Sequence, residues 1–268
     1  MSDLDWVHGD PVALRLAYAA ERKPLDETAP SDVRVSADLP GALTGLHFLP
    51  DAPKQAPILY FHGGSWMLGS PATHRALCAW LAKLTGRRVV SVSYPLAPEH
   101  PYPAQRDAAR RAARAMGETF GAFFVAGDSA GGAMALWGAA AAGGGEILGV
   151  AAFYPAYGLT ASRSIEAHGP GNPALNSAAI AAMYARLGTA PGALQADIPQ
   201  TGAPVLIIAA ERDPLHDDSL ALKSALKRRE VTLWEAEGEE HAFLHHGGAR
   251  ATVRHWLAGV GDWMDERA

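Results

Sequence analysis

The stretch Phe123-Phe124-Val125-Ala126-Gly127-Asp128-Ser129-Ala130-Gly131-Gly132 decides the fold. Its apolar start reads as a strand covered on both faces. The Ala- and Leu-rich run from Ser129 to Ala142 reads as a helix, and Gly143-Gly144-Gly145 ends it. Between strand and helix lies a sharp turn. Gly127 and Gly131 bracket the serine, where crossing backbones leave no room for a side chain. Such a turn lifts the Ser129 hydroxyl to the C-terminal edge of a sheet. It also sets the next N–H groups at a helix start, where partial positive charge can meet an anion. Ser129 is therefore the candidate nucleophile.

Outward from this turn, strand and helix alternate. Upstream, Ile58-Leu59-Tyr60-Phe61 and Val89 to Val92 read as buried strands, with helices at Thr73 to Thr85 and Pro103 to Met116. Downstream come strands at Ile147 to Phe153, Pro204 to Ala210 and Val231 to Trp234, and helices at Leu220 to Arg229 and Ala249 to Met264. This rhythm predicts a mostly parallel sheet with helices on both faces. Val33-Val35 and Leu43 to Leu49, separated by Pro40-Gly41, read as a strand pair that opens the sheet. Asp10-Pro11 starts a helix that runs from Val12 to Glu21. Residues 154–200 break the rhythm with Gly169-Pro170-Gly171-Asn172-Pro173 and read as an insertion over the sheet, with a helix near Ser177 to Leu187.

The 268 residues fit one α/β domain, and 49% hydrophobic against 19% charged residues supply a core. The net charge of −5 argues against nucleic acid or an anionic membrane as partner. Lys227-Arg228-Arg229 reads as a solvated helix end. Cys78 is the single cysteine, so no intrachain disulfide forms, and it reads as a small core residue. Met1 to Asp5 is acidic with no apolar segment behind a basic flank, and apolar runs are too short to span a bilayer. A cytoplasmic protein is the expectation.

Acyl transfer generates an alkoxide, and fixed backbone N–H donors stabilise it by roughly 3 to 4 kcal/mol each. His62-Gly63-Gly64-Ser65-Trp66 follows the strand at 58–61 and can aim such donors. Gly64, Ser65 and Ala130 are the expected oxyanion hole, with His62 holding the loop. A serine nucleophile needs a base, and the base an orienting carboxylate. Asp213 lies just past the strand Val205 to Ala210, whereas Asp217 and Asp218 fall inside the next turn or helix. His241 follows a polar loop after the last strand, on the edge that carries Ser129, and His245 and His246 read as loop residues. The other histidines show no ligand spacing, so neither metal nor cofactor is expected.

Together with Tyr94-Pro95-Leu96-Ala97-Pro98-Glu99-His100-Pro101-Tyr102-Pro103-Ala104, these motifs resemble the hormone-sensitive lipase family of esterases over roughly residues 55–250. The resemblance implies an α/β-hydrolase fold, a small helical cap built from about residues 1–30 and 154–200, and carboxylic ester substrates, often with short acyl chains. It implies Ser129, Asp213 and His241 as the triad. The family usually has a third glycine where this chain has Ser65. Dimers are frequent in the family, and no stretch here marks an interface. Trp66, Leu68, Tyr157, Leu159, Tyr184 and Phe243 are candidate pocket walls, each equally suited to the core. Two rivals stand beside the esterase. Kynurenine formamidases share the His-Gly-Gly-x-Trp loop. The gibberellin receptors resemble the family but lack the catalytic histidine, which this chain has at 241.

Overall fold

Ile58 to Phe61 lies at the middle of a sheet whose inner strands are apolar on both sides, as parallel strands covered by helices must be. The computed structural model describes residues 5–39, 43–140, 146–200, 202–246 and 250–268. Among these, the strands are β1 (Val33–Ser36), β2 (Gly45–Pro50), β3 (Lys54–Phe61), β4 (Arg87–Val92), β5 (Ala122–Asp128), β6 (Glu146–Phe153), β7 (Val205–Arg212) and β8 (Val231–Glu240). They lie in the order β1-β2-β4-β3-β5-β6-β7-β8. The β1–β2 and β2–β4 pairs are antiparallel, and the remaining pairs are parallel.

Side chains alternate across this sheet with period two. Leu59, Phe61, Phe123 and Val125 face one apolar cluster, and Ile58, Tyr60, Phe124 and Ala126 face the other. The first cluster is covered by α3 (Ala104–Phe120) and α4 (Ala130–Gly138), the second by α2 (Arg75–Thr85) and α9 (Ala251–Asp265). Every residue of α4 is buried, so this helix has no polar face to show water.

The remaining helices are α1 (Pro11–Arg22), α5 (Arg163–His168), α6 (Ser177–Leu187), α7 (Pro191–Ala196) and α8 (His216–Ala225). Local caps explain why several form: the side chains of Asp10, Ser162 and Asn176 accept the N–H of Ala13, Ile165 and Ala179. Side chains from α1 join the first cluster with residues of α6, namely Leu14 and Tyr18 with Ile180, Met183 and Tyr184. Arg15 of α1 donates to Met67 O and Ala97 O, and Arg186 of α6 donates to Val7 O and Gly9 O. Both segments thus lie over the same sheet edge as the Ser129 turn.

Several boundaries differ from the expectation. β8 runs on to Glu240 rather than ending near Trp234, because it keeps pairing with β7 as far as Arg212↔Glu240. His241 therefore follows a strand directly, not a polar loop. α4 ends at Gly138, short of Ala142, and the glycines at 143–145 lie outside the described residues, as do Pro40-Gly41. α3 continues to Phe120 and stops where Gly121 takes φ 73°. α8 begins at His216 and ends at Ala225, four residues earlier at each end than the periodicity suggests. No described helix is long and apolar enough to cross a membrane.

Candidate active site

The turn after β5 carries Ser129 at φ 54°, ψ −120°. Such backbone costs a non-glycine residue on the order of 1 to 3 kcal/mol and is held by its surroundings. The surroundings here are tight. A Cβ at Gly131 would come within 2.0 Å of Phe61 O, and one at Gly127 within 2.2 Å of Gly131 O. Only glycine lets the turn pack against the end of β3.

Ser129 Oγ lies 3.1 Å from His241 Nε2, and His241 Nδ1 lies 2.7 Å from Asp213 Oδ2. A carboxylate can only accept, so Nδ1 carries the proton toward Asp213 and Nε2 is left free to accept from the serine. Asp213 is fully buried just past β7, where its Oδ1 accepts the Leu215 N–H at 2.7 Å. The ring of Tyr154 meets His241 edge-on at 5.1 Å and closes one side of the imidazole. The arrangement can withdraw a proton from Ser129 and hold the resulting imidazolium.

The loop after β3 faces this group. Gly64, Ser65 and Trp66 adopt φ of 116°, 56° and 59°. Gly64 O accepts the N–H groups of Met67 and Leu68 at 3.0 and 2.8 Å, which fixes the turn. Ala130 is the first residue of α4, so its N–H has no partner within the helix. His62 is buried and neutral, its pKa pushed down to about 3 by burial and by His74. Its Nδ1 lies 2.8 Å from Gly63 O, and its ring stacks on Tyr94 at 4.2 Å, which suits a structural role in the loop.

Behind the nucleophile lies a buried group that the sequence spacing concealed. Asp128 accepts from Tyr60 Oη at 2.6 Å and from Gly63 N at 3.0 Å through Oδ1. Its Oδ2 lies 3.1 Å from His245 Nε2 and 3.3 Å from His74 Nε2. Burial opposes the charge of Asp128, yet His74 and His245 hold its carboxyl well below the usual range. Burial keeps His245 neutral. Thus His245, expected to be a mere loop residue, is a fully buried partner of Asp128. His74, Asp128 and His245 offer ligand atoms within 4.8 Å of one another, contrary to the absence of ligand spacing read from the sequence. Tyr60, Gly63 and His245 already hydrogen-bond Asp128, and His74 Nε2, beside Oδ2, itself accepts the Gly63 N–H at 3.2 Å, so the trio is accounted for as a buried polar brace between loop and turn.

Two clefts open from Ser129. One is lined by His241, Ala242, Gly64, Tyr18 and Leu175. The other, narrow one is lined by Trp66, Leu159, Ile180, Met183, Tyr184 and Asp218, with Ser65 and Leu175 common to both. Of the expected walls, Trp66, Leu159 and Tyr184 line the second cleft. Leu68, Tyr157 and Phe243 line neither. The turn closed on Gly64 O sends Leu68 into the core, and Phe243 is fully buried against Tyr154 at 5.6 Å. Tyr157 is half-buried and gives its N–H to Asp218 at 2.7 Å.

Asp217, one alternative to Asp213, accepts Ser164 N at 3.0 Å and ties α5 to α8. Asp218, the other, is buried, and burial pushes its carboxyl up to about 6 against the pull of three backbone N–H groups. Ile180 and Met183 were missed as walls although Ile180 lies three residues before Met183 and four before Tyr184, which puts it on a helix face with each. That spacing was the available signal.

A family profile described as "alpha/beta hydrolase fold" matches residues 58–245. Esterase LipI of Mycobacterium tuberculosis is 34% identical over 233 residues, covering 76% of this chain and 72% of that protein. The ethyl acetate hydrolase of Pseudomonas putida is 30% identical over 214 residues, covering 72% and 67%. Among solved structures, a hormone-sensitive lipase from a metagenome library superposes with a TM-score of 0.84 at 25% identity, covering 97% of this chain and 92% of that one. The chain belongs to the α/β-hydrolase family, among the carboxylic ester hydrolases that resemble hormone-sensitive lipase.

Proposed function

We propose that the protein is a serine carboxylesterase that hydrolyses small, short-acyl esters through an acyl-enzyme, with residues 5–30 and 154–200 acting as a cap. The observation that carries this reading is the hydrogen-bonded chain Ser129–His241–Asp213 at the mouth of two clefts. His241 takes the Ser129 proton as Oγ attacks the ester carbonyl. The N–H groups of Gly64, Ser65 and Ala130 receive the oxyanion. His241 then protonates the departing alcohol, and water repeats the sequence to release the acid. Asp213 keeps His241 in the required tautomer.

Relatives named as an ethyl acetate hydrolase and an acetyl esterase support acetyl to butyryl chains. Cys78, the single thiol, is buried, which fits action in the cytoplasm. Ser129→Ala should remove nearly all turnover of p-nitrophenyl butyrate and all labelling by a fluorophosphonate, with the circular dichroism unchanged. A variant that keeps most of its activity refutes Ser129 as nucleophile. Activity rising steadily from C4 to C12 esters refutes the short-acyl preference. The Ser65 loop keeps a formamidase in view, and turnover of N-formylkynurenine faster than p-nitrophenyl acetate would favour it.

A further inference from the structure

Asp218 sits in the first turn of α8 and is 1% exposed. Its two carboxylate oxygens live in different worlds. Oδ1 accepts the N–H groups of Tyr157, Gly158 and Leu159 at 2.7, 2.8 and 3.2 Å, and so anchors the segment that follows β6. Oδ2 is buried and meets no protein donor. Anchoring needs only Oδ1, and an asparagine would supply that acceptor without a charge. A second carboxylate oxygen left bare in a buried setting costs free energy, which the three N–H groups on Oδ1 offset only in part.

The same residue lines the cleft that starts at Ser129 and Ala130 and is walled mostly by apolar groups such as Leu159, Ile180 and Met183, with the hydroxyl-bearing Ser65 and Tyr184 among them. Trp66 lines this cleft too, and its Nε1 is a buried donor without an acceptor. One acceptor and one donor without protein partners, on two residues that line the same cleft, complement a hydroxyl group, which can give one hydrogen bond and accept another. An ammonium would satisfy the acceptor alone, and a methyl would satisfy neither.

Which part of an ester enters this cleft follows from the proton transfer. The leaving alcohol must face His241, which lines the other cleft and not this one. The carbonyl oxygen faces the loop donors, so the acyl chain takes the remaining direction, toward Asp218. We infer that Asp218 and Trp66 read a hydroxyl on the acyl chain, and that the preferred substrates are esters of short hydroxy acids. Asp218 Oδ2 accepts from the substrate hydroxyl and Trp66 Nε1 donates to it. This assignment rests on Ser129 being the nucleophile of an esterase.

The test uses the wild-type enzyme and four p-nitrophenyl esters: 2- and 3-hydroxybutyrate, and their isosteres 2- and 3-methylbutyrate. Each kcat/KM is divided by the hydroxide-catalysed rate of the same ester, which removes differences in intrinsic reactivity. At one of the two positions the hydroxy ester should exceed its methyl isostere by roughly tenfold or more. Asp218→Asn keeps an acceptor for the three N–H groups and should bring that ratio toward one, and Trp66→Phe should lower it. Hydroxy esters no better than their isosteres overturn the inference, as does a preference that survives Asp218→Asn. Faster turnover of p-nitrophenyl 3-aminobutyrate than of the 3-hydroxy ester also overturns it. The wild-type ratios decide alone should the variants fail to fold. Turnover of the methyl esters without hydroxyl preference sinks the Asp218 assignment only. No turnover of any ester, with no fluorophosphonate labelling, sinks the esterase reading beneath it.

Discussion

Ser65 belongs to the loop after β3, beside Ser129 in the lining of both clefts. Its place in His62-Gly63-Gly64-Ser65-Trp66 marks it as the departure from a three-glycine loop. Only the structure gives its φ of 56°, the left-handed conformation that glycine adopts freely and serine does not. The backbone donor is kept, and the side chain stands between the two clefts. Ser65→Gly should relieve the strain and lose some of the gain to a freer unfolded chain. The net stabilisation expected is about 0.5 to 1 kcal/mol, read from the urea midpoint. A destabilised Ser65→Gly would mean that the hydroxyl supports the loop. Asp213 and His241 were legible for a different reason: each follows a strand at the edge that carries Ser129, so counting strands is enough to bring them near it.

At the scale of elements, the loop after β3 and the turn after β5 are joined by a buried polar brace rather than by apolar packing. Asp128 binds Tyr60 of β3, Gly63 of the loop, His74 at the start of α2, and His245 of the 3-10 turn Phe243–His246. Asp128→Ala leaves Tyr60 Oη and His245 Nε2 without the acceptor they share and should cost about 3 to 5 kcal/mol in urea denaturation. A loss below 1 kcal/mol would show that the brace is dispensable.

The same group shapes the response to acid. His62 and His245 are neutral in the fold at pH values where the unfolded chain is protonated. The unfolded state thus binds more protons, and stability falls as pH drops below about 6.5, for His62 down to about 3, by up to about 1.4 kcal/mol per pH unit for each such histidine. The lowered pKa of Asp128 adds to this loss at the acid end of the range, below about 4. Asp218 runs the other way. Its raised pKa means that the fold binds the extra proton between about 4 and 6, which offsets part of the loss there. Urea midpoints measured from pH 7 to 4 should decline, and Asp218→Asn should make the decline steeper between pH 6 and 4. A flat profile would refute the neutral histidines.

For the whole molecule, the decisive contact is between the sheet layer and the segments above it. Trp137 of α4 is fully buried, stacks near Trp66 at 6.1 Å, meets the tilted ring of Tyr102 at 5.6 Å, and donates to Leu194 O of α7 at 3.2 Å. It ties α4, the loop after β3 and the insertion together. Trp137→Ala should cost about 3 to 5 kcal/mol, measured by urea denaturation. It should also raise KM for short esters more than it lowers kcat, because it loosens the cleft wall and leaves Ser129 and His241 in place. A loss confined to kcat would place the damage at the turn instead.

What the sequence determined by itself is local. The apolar runs, the glycine-bracketed Ser129 and the alternation of strands and helices along the chain follow from side-chain period and backbone sterics, which act between near neighbours. Tertiary structure alone decided which distant side chains meet. His74, Asp128 and His245 converge because the order β4-β3-β5 sets α2 and the end of β8 on either side of one turn. β8 reaches Glu240 because β7 continues to supply hydrogen-bond partners, although the residues after Trp234 look like a loop. Asp218, which reads as an ordinary acidic residue opening a helix, acquires its bare oxygen from burial beneath the insertion. Burial and pairing across a sheet depend on the whole chain's path, and no window of sequence contains that path.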